Sequence, residues 1–199
     1  MDADVATRLG LFLDDLKEAI GARATAAGPL VSAYRRVFSS LADSRGEVSG
    51  AEPVRQPACV HLDDCYDGLE GAEVQVIKLA RSFRAIEPAL RWETHIDRRS
   101  AASLADRYAD ASIVGPSGLQ RSRAVEIGVS VMAPETIYPD HRHPPEEVYI
   151  ALSPGQWRQN DGPWNTPGVG GLIYNPGNIV HAMRSGGRPF LAIWCLPLS

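Results

Sequence analysis

The chain is poor in the features that most readily reveal a protein's class. It has 3 cysteines in 199 residues, too few for a disulfide framework. No stretch approaches about 20 consecutive apolar residues, so no transmembrane helix is expected. Acidic residues number 24 against 20 basic ones, and the net charge of −4 leaves no basic footprint for nucleic acid. Met1-Asp2-Ala3-Asp4 offers no positive segment leading into an apolar run, so the expected location is the cytoplasm. Neither nucleic acid nor a membrane is expected as a partner, and nothing in the chain speaks for a particular oligomeric state.

The remaining composition is ordinary. Hydrophobic residues at 44% and charged residues at 22% suit a globular chain of one large domain, or a smaller domain with an extension. Cys59 and Cys65 flank His61, but zinc requires a fourth ligand and usually tighter cysteine spacing. They are read as plain thiols. Cys195, inside Phe190–Leu196, is read as a small core hydrophobe.

The pattern changes near residue 110. Before it, helical spacing dominates. Val5, Leu9, Phe12, Leu13, Leu16 and Ile20 recur at steps of three and four. Pro29 can open a second helix carrying Leu30, Tyr34, Val37, Phe38 and Leu41. The polar stretch 44–57 reads as a loop. A third helix is expected over about 72–85, with a short helical piece continuing through Leu90 and Trp92. After residue 110, Val125, Ile127, Val129 and Val131 alternate with Glu126, Gly128 and Ser130, which predicts a half-buried strand. Val148, Ile150 and Leu152 alternate likewise, and short apolar runs follow at 172–174, 179–183 and 190–196. Gly and Pro clusters separate them, as in a β-barrel or sandwich. The expected division is a helical region over 1–110 packing on a β-barrel over 111–199.

One constellation carries chemistry. Residues 141–149 read His-Arg-His-Pro-Pro-Glu-Glu-Val-Tyr, and His181 follows an Asn-Pro-Gly turn. Strand side chains alternate faces, so Glu147 and Tyr149 point the same way, about 6.6 Å apart along the strand. A small barrel gathers such inward-facing residues into one interior. His141, His143, Glu147 and His181 then form a three-nitrogen, one-carboxylate set for a single divalent transition metal: Zn²⁺, Fe²⁺, Mn²⁺, Co²⁺ or Ni²⁺. Four protein donors leave open positions on a five- or six-coordinate ion, as catalysis requires. His61 and His95 lack such company and are read as structural or surface residues.

These residues resemble the two motifs of the cupin superfamily. In the first, Gly-(x)5-His-x-His-(x)3–4-Glu-(x)6-Gly, His141, His143 and Glu147 match. Glu135 stands in place of the leading glycine, and Gly155 arrives one residue late. In the second, Gly-(x)5-Pro-x-Gly-(x)2-His-(x)3-Asn, Gly170, Pro176 and His181 match, while Asn178 and Ser185 replace the second glycine and the asparagine. Asn tolerates left-handed backbone angles, so Asn178 is a mild departure. The resemblance covers about 112–199 and implies a double-stranded β-helix barrel, with N-terminal α-helices added here.

Tyr138-Pro-Asp-His-Arg-His-Pro-Pro-Glu-Glu-Val-Tyr149 and the Tyr174-Asn-Pro-Gly segment are further similar to the cupin-type dimethylsulfoniopropionate (DMSP) lyases, DddQ-like. That resemblance implies cleavage of DMSP to acrylate and dimethyl sulfide, with Tyr149 as base and Tyr138 as a second tyrosine lining the site. A sulfonium is a fixed cation that aromatic faces attract, so Tyr138, Trp157, Trp164, Tyr174 and Trp194 are the expected substrate contacts. Two alternatives use the same shell: another cupin metalloenzyme such as an Fe²⁺ dioxygenase, and a cupin that binds a small ligand without turnover.

Overall fold

The computed structural model describes residues 3–43, 48, 52–95 and 104–198. Helix α1 (Ala3–Arg23) buries Leu9, Phe12, Leu16 and Ile20 along one stripe, the face set by the three- and four-residue spacing. Asp4 in its first turn and Arg23 in its last complement the helix dipole. Pro29 opens α2 (Pro29–Asp43), where its missing N–H costs nothing. A 3₁₀ turn at Pro57–His61 leads into the short α3 (Leu62–Tyr66) and a second 3₁₀ turn at Asp67–Leu69. Helix α4 (Val74–Ile86) buries Val76, Leu79, Ala80, Phe83 and Ile86, and its Phe83 ring lies 6.1 Å from Phe12 of α1.

One expectation for this half is corrected. The helical piece after α4 stops at Ala89, because Trp92 is extended and donates its backbone N–H to Val54. Its buried indole N–H is satisfied by Glu87 at 2.9 Å. The expected loop 44–57 lies outside the described residues at 44–47 and 49–51, while Val48 bridges to Gln120. Cys59, Cys65 and Cys195 are free and buried. Burial raises all three thiols, Cys65 to about 12.

The strands are β1 (Tyr108–Gly115), β2 (Gln120–Arg121), β3 (Val125–Met132), β4 (Ile137–His141), β5 (Glu147–Ala151), β6 (Gln156–Gln159), β7 (Leu172–Asn175), β8 (His181–Arg184) and β9 (Phe190–Pro197). Among the described residues they form one sheet in the order β2-β1-β3-β9-β5-β7 and another in the order β4-β8-β6. All pairings are antiparallel except β1 with β2. The run expected at 179–183 becomes a strand only from His181.

The larger sheet is covered on both faces, which corrects the half-buried expectation for β3. Ile113, Val125, Ile127, Val129, Val131, Ile150, Leu191, Ile193 and Cys195 share one core with the helices. Tyr108, Met132, Tyr149, Ala151, Phe190 and Ala192 face the other way and pack with Trp157 and Met183 of the smaller sheet. The helices therefore cover the outside of the barrel, and the interior is left to its own side chains.

Two motif departures keep the backbone that the motif's glycines would adopt. Glu135 has φ 52° and Asn178 φ 62°, both left-handed, a region that glycine enters without penalty. Asn178 also donates its backbone N–H to the carbonyl of His143 at 2.8 Å, tying the two motif segments together. Ser185, in place of the asparagine, accepts the Thr136 N–H at 2.8 Å and donates to Ala133 O at 2.7 Å.

Candidate metal centre and active-site cavity

The four expected donors come from both sheets. His141 ends β4 and stands opposite His181, the first residue of β8. His143 follows in the connecting loop, and Glu147 opens β5 opposite Asn175 of β7. One ligand nitrogen from each of His141, His143 and His181 lies within 4.8 Å of the others. Oε2 of Glu147 is 3.5 Å from Nε2 of His143 and 3.4 Å from Nε2 of His181. Donors at about 2.1 Å from one ion stand about 3–3.5 Å apart, so the carboxylate is spaced to share an ion with these rings.

The ring orientations favour a metal. Nδ1 of His141, His143 and His181 lies 3.0, 2.9 and 3.0 Å from the carbonyl oxygens of Pro139, Pro145 and Ile179. A carbonyl can only accept, so each Nδ1 must carry the proton. In the neutral rings every Nε2 is then a lone pair aimed inward, the arrangement second-shell carbonyls impose on metal-bound histidines. Nε2 of His181 is buried without a hydrogen-bond partner, a cost that coordination would remove. Asn175 donates to Oε2 of Glu147 at 3.1 Å and accepts from Gln159 at 2.8 Å, which fixes the carboxylate.

The charge states of His141 and Glu147 agree with that role. Burial lowers His141 to about 4, with His181 adding to the effect, so its ring is neutral near pH 7. Burial pushes the Glu147 carboxyl up, but the adjacent His143 and His181 rings outweigh it and hold the group at about 2. The neighbouring Glu147 carboxylate raises His143, against burial.

A cavity of about 330 Å³ opens beside these donors. Tyr149 lies on its wall, on the same face of β5 as Glu147, and is buried. Burial first, then the Glu147 charge, raises its phenol well above the usual value. Tyr138 also lines the cavity, edge-on to His141 at 4.7 Å and 4.3 Å from Tyr108. Trp194 forms another wall. Its indole lies across Gly128, where an added Cβ would come 2.2 Å from the ring, and its N–H donates to Ser130 at 3.1 Å.

The other aromatics expected at the substrate do not line this cavity. Trp157 packs behind Tyr149, with ring centroids 5.9 Å apart, and against Phe190 at 4.9 Å. Trp164 stacks under Arg158 and Arg184 at 5.0 and 4.3 Å. Tyr174 donates its hydroxyl to Glu146 at 2.8 Å. Glu146 also pairs with Arg36 of α2, so a helix outside the barrel grips the residue next to Glu147. His95 pairs with Asp110 at 3.3 Å.

Sequence reasoning missed Tyr108, Glu126 and Ser130, which also line the cavity. Alternation was the available signal. With Val125, Ile127, Val129 and Val131 turned outward, Glu126 and Ser130 had to face the interior. Tyr108 precedes the pattern change near residue 110 and carried no comparable sign.

Three inward imidazoles and one carboxylate, held between the sheets of a β-barrel, form a candidate metal centre in a barrel of the cupin kind. A family model described as dimethylsulfoniopropionate lyase matches residues 31–192. The chain belongs to the dimethylsulfoniopropionate lyase family. The putative dimethylsulfoniopropionate lyase DddL of Cereibacter sphaeroides is 32% identical over 162 residues, covering 79% of this chain and 67% of that protein. Dimethylsulfoniopropionate lyase DddQ of Ruegeria pomeroyi is 30% identical over 143 residues, covering 71% and 70%. The crystal structure of DMSP lyase DddQ from Ruegeria pomeroyi DSS-3 matches with a TM-score of 0.69 at 23% identity, over 94% of this chain and 91% of that one. A chain from the crystal structures of the DMSP lyases RdDddP and RnDddQII matches with a TM-score of 0.73 at 20% identity, over 97% and 93%. The structural likenesses speak for the fold.

Proposed function

We propose that this protein is a metal-dependent carbon–sulfur lyase that cleaves DMSP to acrylate and dimethyl sulfide. The observation that carries this reading is the convergence of His141, His143, His181 and Glu147 on one side of a cavity whose wall includes Tyr149. A divalent metal bound there (Zn²⁺, Fe²⁺, Mn²⁺, Co²⁺ or Ni²⁺) supplies a Lewis acid for a substrate carboxylate and a charge that favours phenolate. Tyr149 is the base. Its phenolate oxygen takes a proton from the carbon next to the carboxylate. That C–H electron pair becomes the carbon–carbon double bond, and the C–S bond breaks with its pair on sulfur, releasing neutral dimethyl sulfide. Tyr138 and the indole face of Trp194 enclose the substrate and exclude water. Trp157 supports Tyr149 from behind, while Trp164 and Tyr174 act through the outer wall.

We also take residues 1–110 as a helical cover and 111–199 as the barrel that holds the site. The core shared by the helices and the outer face of the large sheet supports this, and β1 begins just before the boundary, at Tyr108. No helix among the described residues is long and apolar enough to cross a membrane. A reducing cytoplasm suits the three unpaired thiols.

The test is to load metal-free protein with each of the five ions separately and assay acrylate and dimethyl sulfide from DMSP, with and without oxygen. Turnover independent of oxygen is expected, because elimination needs no oxidant. Tyr149→Phe should lower kcat about 100- to 10,000-fold with bound metal retained. A Tyr149→Phe enzyme of undiminished rate removes the base, and absence of both products with every ion removes the lyase.

A further inference from the structure

The cavity has two unlike ends. One holds the histidines and Glu147. The other is bounded by Glu126, Trp194 and Leu196. Strand register sets the distance between them. Glu126 of β3 pairs with Leu196 of β9, and Cys195 pairs with Val148 of β5, so Leu196 is level with Glu147. Paired residues share a face, so Glu126, Leu196 and Glu147 all point into the cavity, as their common lining confirms. Two strand spacings separate the two glutamates, about 10 Å between backbones. Each side chain reaches inward across that gap.

Glu147 is taken up by His143, His181 and Asn175. Glu126 is a second carboxylate on the same wall, held through Oε1 by the Ser112 hydroxyl at 3.2 Å. Trp194, two residues from Leu196 and paired with Gly128 and Tyr149, lays its indole across Gly128 on the same cavity wall. Among the described residues, the lining contains no lysine or arginine. Behind Glu126 and Trp194 lies a smaller cleft of about 250 Å³, in which Arg91 pairs with Glu93 and His95 with Asp110. Glu126 is the carboxylate that faces this end of the cavity.

We propose that Glu126, together with the face of Trp194, is the specificity determinant for the cationic end of the substrate, so that the site selects a zwitterion over an ordinary carboxylate. The inference rests on the lyase reading for the identity of that zwitterion. In extended DMSP the sulfur lies about 4 Å from the carboxyl carbon, across a staggered chain. A carboxylate held at the histidine end therefore leaves the sulfonium over Trp194, towards Glu126. A sulfonium cannot hydrogen-bond, so it is recognised by charge and by aromatic faces. Coulomb attraction is stronger in a half-enclosed cavity than in water.

The experiment compares metal-loaded wild type with Glu126→Gln and Glu126→Asp. Calorimetry measures binding of 3-(trimethylammonio)propionate, an analogue with a cationic end, and of 3-(methylthio)propionate, whose sulfur end is neutral. Kinetics measure KM and kcat for DMSP. Glu126→Gln should raise Kd for the cationic analogue and KM for DMSP by about tenfold or more, with Kd for the thioether within about twofold. Glu126→Asp keeps the charge and shortens its reach, so its loss should be smaller and again confined to cationic ligands. Equal weakening of both analogues, or undiminished binding of the cationic one, overturns the proposal. Either variant decides the question if the other fails to fold. Wild type that binds the analogues but does not cleave DMSP would sink the lyase reading alone, and the charge comparison would still judge Glu126. Glu93→Gln, in the smaller cleft, should leave all of these constants unchanged.

Discussion

The two faces of the large sheet are built from the same strands and serve opposite ends. The outer face presents Ile113, Ile127, Val129, Val131, Ile150, Leu191 and Ile193 to the helices. The inner face presents Glu126, Ser130, Glu147, Tyr149 and Trp194 to the cavity. Neighbouring residues fall on opposite faces because successive side chains of a strand alternate. The apolar residues that hold the molecule together are thus kept apart from the polar residues that carry its chemistry. The cavity side tolerates cost, such as the unpartnered Nε2 of His181 on the smaller sheet that faces it, because burial on the outer face offsets it.

Substitutions on each face can break or sharpen this contrast. The largest effect is expected outside. Leu191→Ala removes a fully buried side chain and should cost about 2–5 kcal/mol of stability, read by urea denaturation. The kcat of the protein that remains folded should match wild type. A comparable loss of kcat would show that the faces are coupled.

An intermediate effect is expected inside. Asn175→Ala frees the Glu147 carboxylate from its hydrogen bond and should weaken metal binding about 10- to 100-fold, measured by competition with a chelator. Unchanged metal affinity would mean that Asn175 does not orient the carboxylate.

The smallest effect concerns a pair in the smaller cleft, His95 and Asp110. The hydrogen bond to Asp110 raises the pKa of His95, whose side chain is 67% exposed. A raised folded-state pKa contributes stability that is fully present below the unfolded value of about 6.5 and is lost as pH rises through the folded value. Solvent screening keeps the contribution under about 1 kcal/mol. His95→Gln should therefore lower Tm slightly at about pH 5.5 and not at all at about pH 9. A deficit that grows with pH would reverse the assignment.

Much of the site was legible before any fold was known, because spacing and parity are local properties. His141, His143, Glu147 and Tyr149 fall within nine residues, and alternation alone put Glu147 and Tyr149 on one face. Asn178 in place of glycine was legible for the same reason, since the left-handed angle belongs to a single residue. Trp157, Trp164, Tyr174 and Trp194 were alike as sequence features, yet only Trp194 lines the cavity with the histidines. An aromatic side chain carries no sign of whether it packs behind a wall or forms one.

The chain by itself determined the donor types, the strand alternation and the apolar stripes of the helices, because each depends on residues only a few positions apart. Tertiary structure decided which long-range partners meet. It set His181 opposite His141, turned every Nε2 inward through backbone carbonyls, brought Tyr108 and Glu126 to the same cavity, and laid the helices on the barrel's outer wall. Those outcomes follow from sheet order and from the burial of apolar area between distant segments, and no local spacing encodes either.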